Sequence, residues 1–475
     1  LQAITDSGIR QRNKPGPSHI EAGTNIRSGR LALVDEQVIC RQTSSIGEFL
    51  DPRFAATRLV VAAPHLIGRH SQFPAQIGPA GGGFVPQWCL EDPTIYRGML
   101  ELYRLADAFF YPSLGILVTP GGAVMQRSFG EASFLFEDLA QLPFAENEAD
   151  FSVLNLADDY ETVNRVAVTM PYGGITNYGH FVIDCLSGVA TIQGFADLST
   201  YRFLFPELAS WHIRHLALMN VSPAHQVSAP IVRLRDVIFT SCMDHFLHVA
   251  TDVVGSVTAT QRASVARSAS AERTVEGCLS GRASGAMAMA AGAVRGGGQN
   301  RVYLSRRGMA KRRFSDEEAL EIALRRMGFM IVAPERLSVD EQIGLFTNAD
   351  VVVGFTGAGF ANVIYCRPKA RIIEIQTASL QGIWVRNLAL IAGCAWYPFF
   401  AGDLDQTVPK RRSRTRRPLQ WDTKAFCRYV ARICDPASTE TPSPGPARTN
   451  SIRRASIPAS KAASLVEWLQ ARLAR

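Results

Sequence analysis

His180 and Asp184 stand four residues apart in NYGHFVIDCL, residues 177–186. That spacing puts both side chains on one face of a helix, near its start. An imidazole beside a carboxylate suits either a satisfied structural hydrogen bond or a general base tuned by its neighbour. Arg306 and Arg307 close RVYLSRR, residues 301–307. Adjacent guanidinium groups either lie solvated on a loop or grip phosphate oxygens in bidentate forks. Thr356-Gly357-Ala358-Gly359 lets the backbone leave a strand, turn sharply and begin a helix. The first N–H groups of such a helix make an anion site, although a glycine turn also serves close packing. The stretch is no dinucleotide fingerprint, since G-x-G-x-x-G is absent, and no Walker loop, since no Gly-Lys-Ser/Thr follows. Glu374 delivers one carboxylate into the apolar RIIEI run, 371–375. A strand ending in a placed acid suits ligand contact. Cys185, Cys366 and Cys394 lie in apolar settings and read as core.

The elements that must position these groups are most regular beyond residue 300. Arg301 to Leu304 reads as a strand, and Ser315 with Glu318 as a capping box opening a helix that stops at Gly328. Phe329 to Ala333 is a strand, Ser338 with Glu341 a second capping box, and Asp350 to Gly354 an apolar run too short for a helix. A strand at 371–375, a helix from Ile383 to Ile391 and a strand from Cys394 to Phe399 complete the set. Five strands alternating with four helices predict a doubly wound parallel sheet with its ligands outside the strands' carboxyl ends. Before residue 250 the chain is rich in short apolar runs broken by Gly and Pro, such as 59–63 and 115–118. These are strand-and-turn signals. Met99 to Ala108 reads as a short helix, Val166 to Met170 as a strand, and Trp211 to Asn220 and Ile231 to Thr240 as further strands with room for a helix around them.

At 475 residues the chain exceeds what one core usually holds. The expected plan is a flexible lead-in over 1–30, an N-terminal domain over 31–250, a linker rich in Ala, Ser and Gly over 251–299, a C-terminal domain over 300–433, and a disordered tail with a terminal helix over 434–475. The formal charge of +8 is local, because KRRSRTRR at Lys410 to Arg417 carries six basic residues. That run lacks interleaved aromatics, which argues against nucleic acid and leaves a solvated loop or peripheral contact with acidic lipid. Nine scattered cysteines with no Cys-x-x-Cys pair predict reduced thiols in a cytosolic protein. No basic-then-apolar leader opens the chain and no apolar run reaches about 18 residues, so a soluble protein is expected. The start at Leu1 leaves room for residues upstream.

Taken together, NYGHFVIDCL, RVYLSRR and the stretch from Ser338 to Glu374 ending GAGFANVIYCRPKARIIE resemble glycosyltransferase family 61, capsular or exopolysaccharide biosynthesis enzymes. The resemblance spans roughly residues 166–399. It implies an α/β fold of GT-B type, two Rossmann-like domains facing a cleft, here with a β-rich N-terminal portion. It also implies an inverting hexosyl- or pentosyltransferase that works without cofactor or bound metal on a nucleotide-sugar donor and a glycan or lipid-linked acceptor, in the cytoplasm or at the inner membrane face. The single Asp-x-Asp, 403–405, does not sit where a metal-diphosphate site is expected. Carried onto this chain, Arg306 and Arg307 would neutralise the diphosphate with help from Thr356, Gly357, Ala358 and Gly359. Glu374 would receive ribose hydroxyls, Asn362 would steady the turn or touch the donor, and His180 or Asp184 would be the base. Relatives commonly carry a histidine just before the glycine-alanine turn, where this chain has Thr356. A hydroxyl hydrogen-bonds phosphate but carries no positive charge. That departure motivates an alternative, a nucleotide-binding relative that acts as a scaffold without catalysis.

Overall fold

The computed structural model describes, with short gaps, residues 31–69, 94–125, 161–240, 257–266, 299–401 and 422–435, together with two-residue strands at 80–81, 144–145 and 148–149. Several readings lie outside the described residues: the lead-in, the turn at 171–174, Ser315, the Asp-x-Asp, the basic run at Lys410 to Arg417 and the terminal helix. No helix among the described residues is long and apolar enough to cross a membrane.

The C-terminal strands form a parallel sheet in the order Phe329–Val332, Arg301–Leu304, Val351–Phe355, Arg371–Thr377, Ala395–Ala401. Side chains alternate between the two faces of a strand, so each row across the sheet belongs to one face. Val302, Val352, Ile372 and Trp396 form one such row and join one apolar cluster. Tyr303, Val353, Ile373 and Tyr397 form the next row and join another. Both faces are covered, which is why these strands read as unbroken apolar runs. Helices Glu317–Arg326 and Thr423–Cys434 pack on the Tyr303 face through Leu320, Leu324, Phe426 and Val430. Helices Val339–Asn348 and Trp384–Ile391 pack on the other face through Ile343, Phe346, Val385 and Leu388. Gly328 and Gly393, read as helix stops, have φ of 81° and 69°, the left-handed region that glycine allows. A sixth strand was not legible: Ala80–Gly81, from far upstream, pairs parallel with Phe399 and Phe400 at the sheet edge.

The chain before residue 250 builds a 12-stranded mixed sheet. At its centre Leu100–Tyr111 runs antiparallel to Val232–Thr240, which is followed in parallel by Glu161–Val168, Arg202–Pro206 and His225–Val227. Two expectations are corrected here. The expected helix at Met99 to Ala108 is the twelve-residue strand Leu100–Tyr111, paired on both sides with Val232–Thr240 and Ala56–Ala62. Its polar residues are buried in pairs, with Tyr103 Oη donating to Glu101 and Arg104 Nε to Asp236, so sheet pairing overrides local helix preference. The expected strand at Trp211 to Asn220 is the helix Ser210–Leu218. Two of its four buried residues, His212, His215, Leu216 and Leu218, are histidines, which hid the apolar period. Within the expected linker, residues 257–266 are helical, with Val257 and Gln261 buried.

Candidate active site

The helical stretch that carries His180 begins where Asn177 Oδ1 accepts the Gly179 N–H at 2.9 Å. It runs as Tyr178–His180, a π-helical segment Phe181–Cys185, and Leu186–Gln193. Phe181, Val182, Cys185, Leu186 and Val189 are buried in the same apolar cluster as Phe360, Val339 and Ile343, so this helix shares a core with the C-terminal sheet. His180 Nδ1 lies 2.9 Å from Asp184 Oδ2. Asp184 is buried and His180 partly exposed. Gly179 backs directly onto the turn: a Cβ there would lie 3.7 Å from Ala358 Cα.

Arg306 and Arg307 follow the Arg301–Leu304 strand, whose neighbours are the second strand of the sheet on one side and the third on the other. The connections after it therefore diverge to the two sides, the kind of point at which open α/β sheets take their ligands. The Val351–Phe355 strand ends beside it, with Leu304 opposite Gly354. Gly354 is required by packing, since a Cβ would sit 3.0 Å from Leu304 Cβ and 3.3 Å from the Phe360 ring. The loop is fixed by two carboxylates. Glu317 accepts the Arg306 N–H, and Glu321 accepts Ser305 Oγ at 2.7 Å and Arg307 Nη2 at 2.8 Å. Arg306 is partly buried, and burial lowers its pKa while Glu317 and Glu335 oppose that shift. Burial likewise raises the Glu317 pKa. Arg307 is exposed, so its ion pair with Glu321 can be exchanged for an anionic ligand.

Thr356 is buried, and its N–H donates to Ile375 O at 3.0 Å. Gly357 is extended, with φ 169°, and Ala358–Tyr365 continues as eight residues of 3₁₀-helix where the sequence suggested an ordinary helix start. Ala358 and Gly359 are partly exposed and precede the first turn bond, from Phe360 N–H to Gly357 O at 2.9 Å. A Cβ added at Gly359 would lie 3.7 Å from Pro334 Cγ, in the turn that follows the Phe329–Val332 strand. Two residues stand behind the turn. Glu374 is in the middle of the Arg371–Thr377 strand, not at its end, and is wholly buried. Trp396 Nε1 donates to its Oε2 at 2.8 Å and Gln376 Nε2 at 3.0 Å. Burial pushes its pKa up to about 7 against hydrogen bonds from Thr356, Gln376 and Trp396. Asn362 is also wholly buried, accepting from Tyr178 Oη at 2.7 Å and donating to Gln342 Oε1 at 2.9 Å.

The structure thus brings the His180 helix against the glycine turn and sets Arg306 at the adjacent strand end, while Thr356, Asn362 and Glu374 lie in the layer beneath. Residues 178–373 match the family model Glycosyltransferase 61. The glycosyltransferase 61 match starts one residue after the Asn177 cap and takes in His180, Asp184, Arg306, Arg307 and the whole turn, and stops one residue short of Glu374. The family is one of glycosyltransferases, which implies a sugar donor and an acceptor as substrates. No curated protein matches the chain. Sequence reasoning passed over Glu317 and Glu321, although Glu317, Leu320, Glu321 and Leu324 share one helix face and two acids at inward positions are a signal. Tyr178, His215 and Gln261 were also missed.

Proposed function

We propose that this protein is an inverting glycosyltransferase that moves a sugar from a nucleotide-sugar donor to a glycan or lipid-linked acceptor. The observation that carries the reading is the meeting of two unlike groups: a histidine–carboxylate pair on one helix start, packed against a partly exposed turn that follows the strand paired with the one leading to Arg306. In this reading the sheet that contains Val351–Phe355 is the donor side and the sheet that contains Glu161–Val168 is the acceptor side of a GT-B-type arrangement, with domains over 31–250 and 300–433. His180 donates Nδ1–H to Asp184, which places the lone pair on Nε2, the tautomer a base needs. Nε2 takes the acceptor's hydroxyl proton as the oxygen attacks the anomeric carbon. The bond to the diphosphate breaks on the opposite side. The leaving charge falls on Arg306, Arg307 and the N–H groups of Ala358 and Gly359. Thr356 and Glu374 hold the turn from beneath, and Asn362 fastens it to the His180 helix.

The setting we propose is surface-polysaccharide synthesis at the cytoplasmic face, supported by the family resemblance. Incubation with a panel of nucleotide sugars and oligosaccharide acceptors is expected to release nucleoside diphosphate. His180→Ala removes transfer and keeps donor binding, whereas Arg306→Ala weakens both. The alternative of a nucleotide-binding scaffold is favoured by the Thr356 side chain, which lies buried against Glu374 and adds no charge to the donor side. Nucleotide binding without turnover on any acceptor would decide for it.

A further inference from the structure

Behind the turn the structure contains a run of hydrogen bonds, closed into a ring by the backbone between Asn362 and Tyr365, whose direction can be worked out atom by atom. Tyr365 Oη donates to Gln261 Oε1, because a phenol beside an amide oxygen has only that role. This fixes the amide, so Gln261 Nε2 is the donor at 3.2 Å from His215 Nδ1 and 3.2 Å from His215 O. His215 Nδ1 therefore accepts, and its proton is on Nε2, 3.2 Å from Tyr178 Oη. Burial pushes the His215 pKa down to about 3, which keeps the imidazole neutral as this pattern requires. Tyr178 passes the direction on by donating to Asn362 Oδ1 at 2.7 Å, and Asn362 Nδ2 donates to Gln342 Oε1 at 2.9 Å. Gln342 Nε2 ends the branch on Leu337 O at 3.2 Å.

The ring closes through the backbone of the 3₁₀ segment. Asn362 and Tyr365 are three residues apart, and a 3₁₀-helix has three residues per turn, so both project from one face. One partner ring atom comes from each of three helical stretches: Tyr178 from the His180 helix, His215 from Ser210–Leu218 and Gln261 from 257–266. The helices that carry the histidine side of the site are thereby fastened to the segment that begins at the Ala358 turn.

We propose that Tyr178 is a positioning residue of this site, its hydroxyl setting the placement of His180 against the Ala358–Gly359 turn by joining His215 to Asn362. The proposal rests on the reading of His180 as the base. Tyr178 lies two residues before His180, and any rotation of the first helical turn that releases the hydroxyl also moves the imidazole. Its ring packs 5.4 Å from Trp211 and 5.6 Å from His215, contacts that Tyr178→Phe retains while it deletes only the link.

Two measurements on the full chain test this. Histidine Cε1-labelled protein shows by NMR whether the His180 signal, assigned with His180→Asn, shifts in Tyr178→Phe. Nucleoside diphosphate release gives turnover and donor KM for the same variants. The expected result is a displaced His180 signal, kcat lower by between about 10-fold and about 100-fold, and donor KM changed less than about twofold. The double variant Tyr178→Phe/Asn362→Leu recovers thermal stability relative to Asn362→Leu, since two polar partners are removed together, but does not recover kcat. A merely structural hydroxyl would make rate follow stability, and that result would overturn the proposal. An unmoved His180 signal, or wild-type turnover in Tyr178→Phe while His180→Ala is inactive, would also overturn it and leave the base reading intact. Wild-type turnover in His180→Ala would overturn the base reading, and the placement would then be decided by the NMR signal, which needs no substrate.

Discussion

The two sides of the candidate site are held in opposite ways. At the strand end, Ser305, Arg306 and Arg307 are held by ionic groups, with Glu317 and Glu321 beneath and Arg307 open to solvent. At the helix start, Tyr178 is held in a neutral ring in which donors and acceptors are matched within the protein. An exposed ion pair contributes little to stability and exchanges partners readily, while a buried neutral network is costly to open. The difference assigns the first to ligand exchange and the second to fixed geometry.

That contrast breaks most visibly at His180. His180→Ala is expected to lower transfer by about 10²- to 10⁴-fold, as read by product release. Next comes the ring. Asn362→Leu removes the acceptor of the Tyr178 O–H and the donor to Gln342 Oε1, and denaturant unfolding should show a loss of about 2–3 kcal/mol. Arg307→Ala should cost less than about 1 kcal/mol in the same assay, and if the ionic side exchanges partners as described it raises donor KM severalfold instead.

Glu374 sharpens the comparison because it is a buried acid in the neutral layer. Its pKa stands at about 7 in the folded protein, against an ordinary value of 4.5, so the native state keeps a proton that the unfolded chain releases. Its contribution is fully present below about pH 4.5 and is lost as pH rises through about 7, on the order of 3 kcal/mol over the window. His215 has the opposite sign: with its pKa depressed to about 3, its contribution is present above the ordinary value of 6.5 and lost as pH falls. Glu374→Gln should flatten the decline of stability toward neutral pH in unfolding curves taken from about pH 4 to 8. An unaltered slope would mean that other groups carry it.

The C-terminal sheet was legible because its strands are covered on both faces and its helices carry caps, so period and punctuation agree. The Ser338–Glu341 box forms as read, with Glu341 N–H donating to Ser338 Oγ and Ser338 N–H to Glu341. The chain before residue 250 was less legible because its elements are fixed by distant partners. The Leu100–Tyr111 strand is flanked by segments about 45 residues before and about 130 residues after it, which no local pattern reveals. Among site residues, types and spacing marked His180, Asp184, Arg306 and the turn. They gave no depth: Glu374 is wholly buried with Trp396 and Gln376 as donors, and Asn362, read as steadying the turn or touching the donor, is wholly buried between Tyr178 and Gln342. Burial is a property of the assembled layers, and the ring through Gln261 exists only when three helices meet.

The central claim is that the strand end at Arg306 and the turn at Ala358–Gly359 together receive a nucleotide diphosphate. Calorimetric titration of the protein with UDP, GDP, ADP and CDP, repeated on Arg306→Ala, tests it most directly. The account predicts that at least one nucleoside diphosphate binds and that Arg306→Ala weakens it by at least about tenfold, with the fold intact by circular dichroism. No binding of any of the four at millimolar concentration, or binding unaffected by Arg306→Ala, would contradict it.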